Sequence, residues 1–153
     1  MIMDSSIPNL IGALPTAFVA LIAVYIAYQQ WRTNRFQLRH ALFDRRFEIY
    51  KAVQRYLSDI MTHAKLNDEG IPPLLDAYQR AKFLFGSDIP EYIDVIYKRS
   101  LNMQLYENQY AEPLASDRRS ELVKKKHEEL TWLCNQLPVL AEKFGPYMSL
   151  GKA

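Results

Sequence analysis

From Thr16 to Glu69 the chain contains neither glycine nor proline. So long a stretch without a breaker points to one continuous helix. The helix opens on an apolar run. Leu10 to Tyr28 (LIGALPTAFVALIAVYIAY) is 19 residues without Asp, Glu, Lys or Arg. As a helix this run reaches roughly 28 Å, close to the hydrocarbon thickness of a bilayer. The sequence therefore predicts an all-α protein: an N-terminal transmembrane helix over 10–28 that continues into an antiparallel cytosolic four-helix bundle over 29–153. Residues 1–9 form a short non-cytoplasmic N-terminus. A cleaved signal peptide fits the run poorly, because Met1–Asn9 holds Asp4 and no Lys or Arg, and such apolar regions usually span only about 7–15 residues.

Charge sets the expected topology. Residues 29–56 carry Arg32, Arg35, Arg39, Arg45, Arg46, Lys51 and Arg55 against Asp44 and Glu48, a local net of +5. Basic residues just after a span mark the cytoplasmic side, so the N-terminus is expected outside. Trp31, Arg32, Arg35 and Arg39 are the expected membrane-interface residues, the arginines attracting anionic headgroups and Trp31 sitting at the interface. Gly12, Thr16, Ala20, Ala23 and Ala27 share one face of the span and form its expected association face.

Glycine and proline punctuate the rest. Gly70-Ile71-Pro72-Pro73, Gly86-Ser87-Asp88-Ile89-Pro90, Pro113 and Gly145-Pro146 divide the chain into helices at about 36–67, 73–85, 89–110 and 117–144. Asp88 is expected as an N-cap, Pro138 as a kink and Gly145-Pro146 as the end of the last helix. Apolar stripes at spacings of three and four mark the buried faces. They run through Leu38, Leu42, Ile49, Val53, Tyr56 and Ile60, then Leu74, Tyr78, Ala81 and Phe85. Ile89, Ile93, Ile96, Met103 and Tyr110 follow, interrupted by Ser100 and Glu107, and the last stripe is Leu130, Leu133, Leu137, Leu140 and Phe144.

Catalytic chemistry is not indicated. His40, His63 and His127 belong to no metal-binding spacing, the five glycines form no phosphate loop, and the single Cys134 excludes an internal disulfide. No catalytic, cofactor or metal residue is expected, and nucleic acid is not an expected partner. Arg46 falls on the apolar stripe between Leu42 and Ile49. A cation there needs a partner, and Glu107 on the third stripe is the expected one, in a structural ion pair. An anion-binding role for Arg46 is the alternative.

Taken together, Tyr28-Gln29-Gln30-Trp31-Arg32, Asn34-Arg35, Leu42-Phe43-Asp44-Arg45-Arg46-Phe47 and Tyr50 resemble a group of small bacterial single-span inner-membrane proteins of uncharacterised function. Phe83-Leu84-Phe85-Gly86, Asp88-Ile89, Tyr92, Trp132 through Gln136 and Phe144 through Leu150 extend the likeness along nearly the whole chain. The resemblance implies a bacterial inner-membrane location and brings no chemistry. The expected function is a membrane-anchored helical interaction or regulatory module without catalytic activity, meeting a protein partner or a second copy. A membrane-acting effector, as in antiviral defence, is the alternative, and an enzyme or small-ligand-binding bundle comes third.

Overall fold

The breaker-free stretch lies in one helix as far as His63, and that helix begins earlier, through Pro8, Gly12 and Pro15: α1 (Ile7–His63), 57 residues long. The structure is a computed structural model that describes residues 7–110 and 116–149, with side chains described for residues 18–109 and 116–149. After α1 come a 3-10 turn (Asp68–Gly70) and helices α2 (Ile71–Leu84), α3 (Asp88–Tyr110), α4 (Ser116–Cys134) and α5 (Gln136–Met148). The chain divides at Ala41/Leu42 into two units.

The expected span is overturned. Among the described residues, no helix is long and apolar enough to cross a membrane. The transmembrane helix, the inner-membrane location and the N-out topology are corrected accordingly, and the interface role of Trp31, Arg32, Arg35 and Arg39 loses the span it rested on. Residues 1–6 lie outside the described residues, and of residues 7–17, Gly12 and Thr16 included, only the helical backbone is described.

The second unit is a helical bundle. Its core draws Ile49, Val53, Tyr56, Leu57 and Ile60 from α1, Leu74, Ala77 and Ala81 from α2, and Ile89, Ile93, Ile96 and Met103 from α3. Tyr92 of α3, Leu133 of α4 and Leu140 and Phe144 of α5 complete it. The spacings of three and four therefore locate the buried faces, with exceptions at the ends. Leu38 and Leu42 are exposed.

Three punctuation marks act differently from expectation. Pro138 does not kink a single helix; the chain breaks at Asn135, between α4 and α5. A proline ring clashes with the carbonyl four residues earlier, here that of Cys134, and α4 stops there. Conversely, α5 runs through Gly145 and Pro146 to Met148. The carbonyl that Pro146 cannot serve belongs to Glu142, at an exposed position where solvent is open to it. Asp88 is not a cap outside its helix but the first residue of α3, and the backbone Ser87 carbonyl accepts from Glu91 N–H at 3.0 Å.

The end of α1 holds the one non-glycine residue with positive φ among the described residues, Ala64 at 51°. Its N–H donates to the Ile60 carbonyl at 2.8 Å, closing the last turn as the chain leaves the helix. Glycine usually fills such a place, because a Cβ crowds the carbonyl in the left-handed region. Ala64→Gly is expected to stabilise the protein by about 0.5–1 kcal/mol, read as a higher urea midpoint, and Ala64→Val to lower it.

Candidate functional site

Arg46 lies one turn before the first fully buried residue of α1 and is itself half-buried. Its Nε–H donates to the Leu84 carbonyl at 3.0 Å and its Nη1–H to the Tyr147 carbonyl at 3.1 Å. Leu84 is the last residue of α2, and Tyr147 belongs to the last turn of α5. One guanidinium thus satisfies acceptors at two helix C-termini, where carbonyls lack intrahelical donors and the macrodipole is negative. The rings of Phe85 and Tyr147 lie 5.6 and 5.8 Å from its carbon, within cation–π range. Phe85 and Phe144 meet edge-on at 5.2 Å, and Phe85 and Tyr147 at 5.1 Å.

The pairing expected with Glu107 is therefore corrected. Glu107 lies between Lys65 at 3.6 Å and Lys126 at 3.3 Å. An anion-binding role for Arg46 is disfavoured by the same geometry, since two negative helix ends already face the cation. Tyr147 adds a further tie: its Oη donates to Asp88 Oδ1 at 2.7 Å, which holds the phenol above its ordinary pKa. Gly86 permits this approach, because a Cβ there would come within 2.9 Å of both Tyr147 Oη and Asp88 Oδ1.

Two buried polar pairs cross the core. Ser100 Oγ donates to the Tyr97 carbonyl at 2.7 Å, so the Tyr56 hydroxyl supplies the proton in the 2.5 Å contact with Ser100 Oγ. Tyr92 Oη donates to both the carbonyl and Oε1 of Gln136 at 3.2 Å, and Gln136 Nε2 donates to the Trp132 carbonyl at 3.0 Å. Burial pushes both phenols up to about 12. Sequence reasoning recognised Ser100 only as an interruption of the third stripe and did not single out Gln136. The available signal was a polar residue at an apolar position, where burial demands a hydrogen-bond partner.

An open cleft of about 380 Å³ lies between α1 and the start of α2, lined by Glu48, Lys51, Arg55, Tyr56, Asp59 and Glu69 among others. Glu48 is already engaged by Arg80 at 2.6 Å, which holds its carboxyl below the ordinary range. The start of α2 gives the cleft no anion-binding donors. Ile71 N–H serves the Asp68 carbonyl, and Pro72 and Pro73 have none to offer.

The remaining expected site residues belong to the first unit. Every side chain from Phe18 to Arg39 is exposed, including Ala20, Ala23, Ala27, Trp31, Arg32, Arg35 and Arg39. Arg35 stacks over the Trp31 ring at 4.7 Å. No protein-family model, curated protein or solved structure matches the chain.

Two predictions follow from these contacts. Hydrogen bonds to a charged group contribute about 1.5–3 kcal/mol each, partly replaced by water at a half-buried site. Arg46→Leu is expected to lower stability by about 2–4 kcal/mol and Arg46→Lys by about 1–2, because one ammonium cannot reproduce the divergent fork. Arg45→Leu, at an exposed position, should change it by less than about 0.5. Equal urea midpoints for Arg46→Leu and Arg45→Leu would refute the double-cap role.

The tyrosines give a pH dependence. Their folded values lie above the unfolded value near 10, so the neutral phenol is the form the fold holds. Their contribution is intact below pH 10 and is lost as pH rises from about 10 through 12. The Tyr56→Phe/Tyr92→Phe variant should be less stable at pH 7, yet decline less steeply in that alkaline window when unfolding is followed by circular dichroism.

Proposed function

We propose that the chain is a helical interaction module that works through contact with another protein rather than by catalysis. The observation carrying this reading is the uncovered apolar surface of the first unit. Phe18, Leu21, Tyr25, Trp31 and Phe36 are between 55% and 69% exposed. A helix that is apolar on all sides, as Phe18 to Tyr28 is, belongs in a buried environment. Contiguous exposed apolar surface on this scale marks a contact site. The second unit supports the same reading from the other side. Arg46, Tyr56, Ser100, Tyr92 and Gln136 are engaged in bonds that fix helices to one another.

A photoreactive benzophenone residue in place of Tyr25, in the full chain in cells, tests the proposal. It should give a discrete protein adduct on illumination. The same residue in place of Lys98, exposed on α3 beside its own Asp94 at 2.6 Å, should give none. Absence of any protein adduct at position 25 would overturn the interaction reading.

A further inference from the structure

One stripe of the first unit has a two-part composition. Leu21, Tyr25, Tyr28, Arg32, Arg35 and Arg39 follow one another at alternating steps of four and three, so they lie along a single helix face. All six are exposed. The first half of this stripe is apolar and aromatic, and the second half is entirely cationic. From Phe18 to Ala41 the sequence has no Asp or Glu, and no carboxylate among the described residues lies within salt-bridge distance of the three arginines.

Resting on the interaction reading, we infer that the partner is a protein element with a matching division: an apolar surface against Leu21 to Tyr28, then a row of carboxylates against Arg32 to Arg39. The stripe is roughly 27 Å long, the length of about five helical turns, which suits an amphipathic helix or a groove. Arginine forks bind carboxylates in bidentate geometry, and such pairs fix register along an interface.

The alternatives fit only one half each. In a parallel pair of copies, arginines would face arginines. An antiparallel pair would set the arginines against Leu21 and the tyrosines, with six cations and no counter-charge. A nucleic acid would answer the arginines and leave Leu21, Tyr25 and Tyr28 bare, since its contacts are dominated by phosphates. A helix lying flat on a lipid surface needs a polar face, and Phe18 to Tyr28 offers none.

The test uses the full chain in cell extracts. Arg35→Lys places an amine on the stripe, and a water-soluble carbodiimide then joins it by an amide bond to any carboxylate in direct contact. The expected product links the peptide containing position 35 to an Asp or Glu of the same protein that the benzophenone at position 25 captures. It should be absent from the unaltered chain. Its yield should fall roughly tenfold when Arg32→Glu and Arg39→Glu are added, through like-charge repulsion, and should also fall in about 1 M salt, where the Debye length is about 3 Å. Coupling only to a second copy would overturn the acidic-partner inference. So would an adduct at position 25 without any coupling at position 35, and in that case the interaction reading survives. No adduct at position 25, together with binding of the chain to RNA or to phosphatidylglycerol vesicles, would overturn both.

Discussion

Arg46 is where three helices of the bundle are fastened together. The C-termini of α2 and α5 converge on it, and each presents carbonyls without intrahelical donors. Two like dipole ends brought together repel, and taking their acceptors out of water adds a desolvation cost. A guanidinium resolves both difficulties because its N–H groups diverge in a rigid plane and its charge opposes both dipoles. The aromatic surroundings follow from the same requirement. The Phe85 and Tyr147 rings lie over the cation without competing for its donors, Phe144 packs edge-on against Phe85, and Tyr147 also contributes one of the two carbonyls.

The remaining polar groups of the core set register. Tyr56 to Ser100 ties α1 to α3, and Tyr92 to Gln136 ties α3 to the start of α5. Apolar contacts alone tolerate a helix sliding by a turn, because one leucine serves nearly as well as the next. A buried hydroxyl does not, since losing its partner costs the full desolvation of that group. Among the described residues no buried side-chain polar atom lacks a partner. The bundle is thus positioned by two tyrosine bonds and by the Arg46 cap, with the apolar stripes providing the bulk attraction.

The buried stripes were legible because period 3.6 is a property of sequence order alone, and Ile49, Val53, Leu74, Ile93, Leu133 and Leu140 all lie on the faces that spacing selected. Arg46 was legible as a cation in need of a partner. The partner was not, because sequence reasoning looks for carboxylates by residue type, whereas backbone carbonyls are present at every position. Only the convergence of two helix ends distinguishes Leu84 and Tyr147. Proline was misread in both directions. Whether it breaks a helix depends on what becomes of the carbonyl four residues earlier, and Pro138 and Pro146 differ in that respect. The expected span rested on a count of uncharged residues, and among the described residues no helix is long and apolar enough to cross a membrane.

Helix formation itself has different support in the two units. From Ile49 onward α1 buries one face in the core, and tertiary packing accounts for its stability. From Phe18 to Arg39 every side chain is exposed. Valine, isoleucine, tyrosine, tryptophan and phenylalanine make up nine of the 22 residues of that segment, and all rank in the middle or lower part of the helix-propensity scale. In proteins most helical stability comes from tertiary packing of one face, and the side chains of this segment are exposed. The side chains that weaken the helix are the same ones that offer apolar area to a partner. Contact and helicity are therefore linked in this segment: whatever covers Leu21, Tyr25 and Trp31 also supplies the packing that their helix lacks.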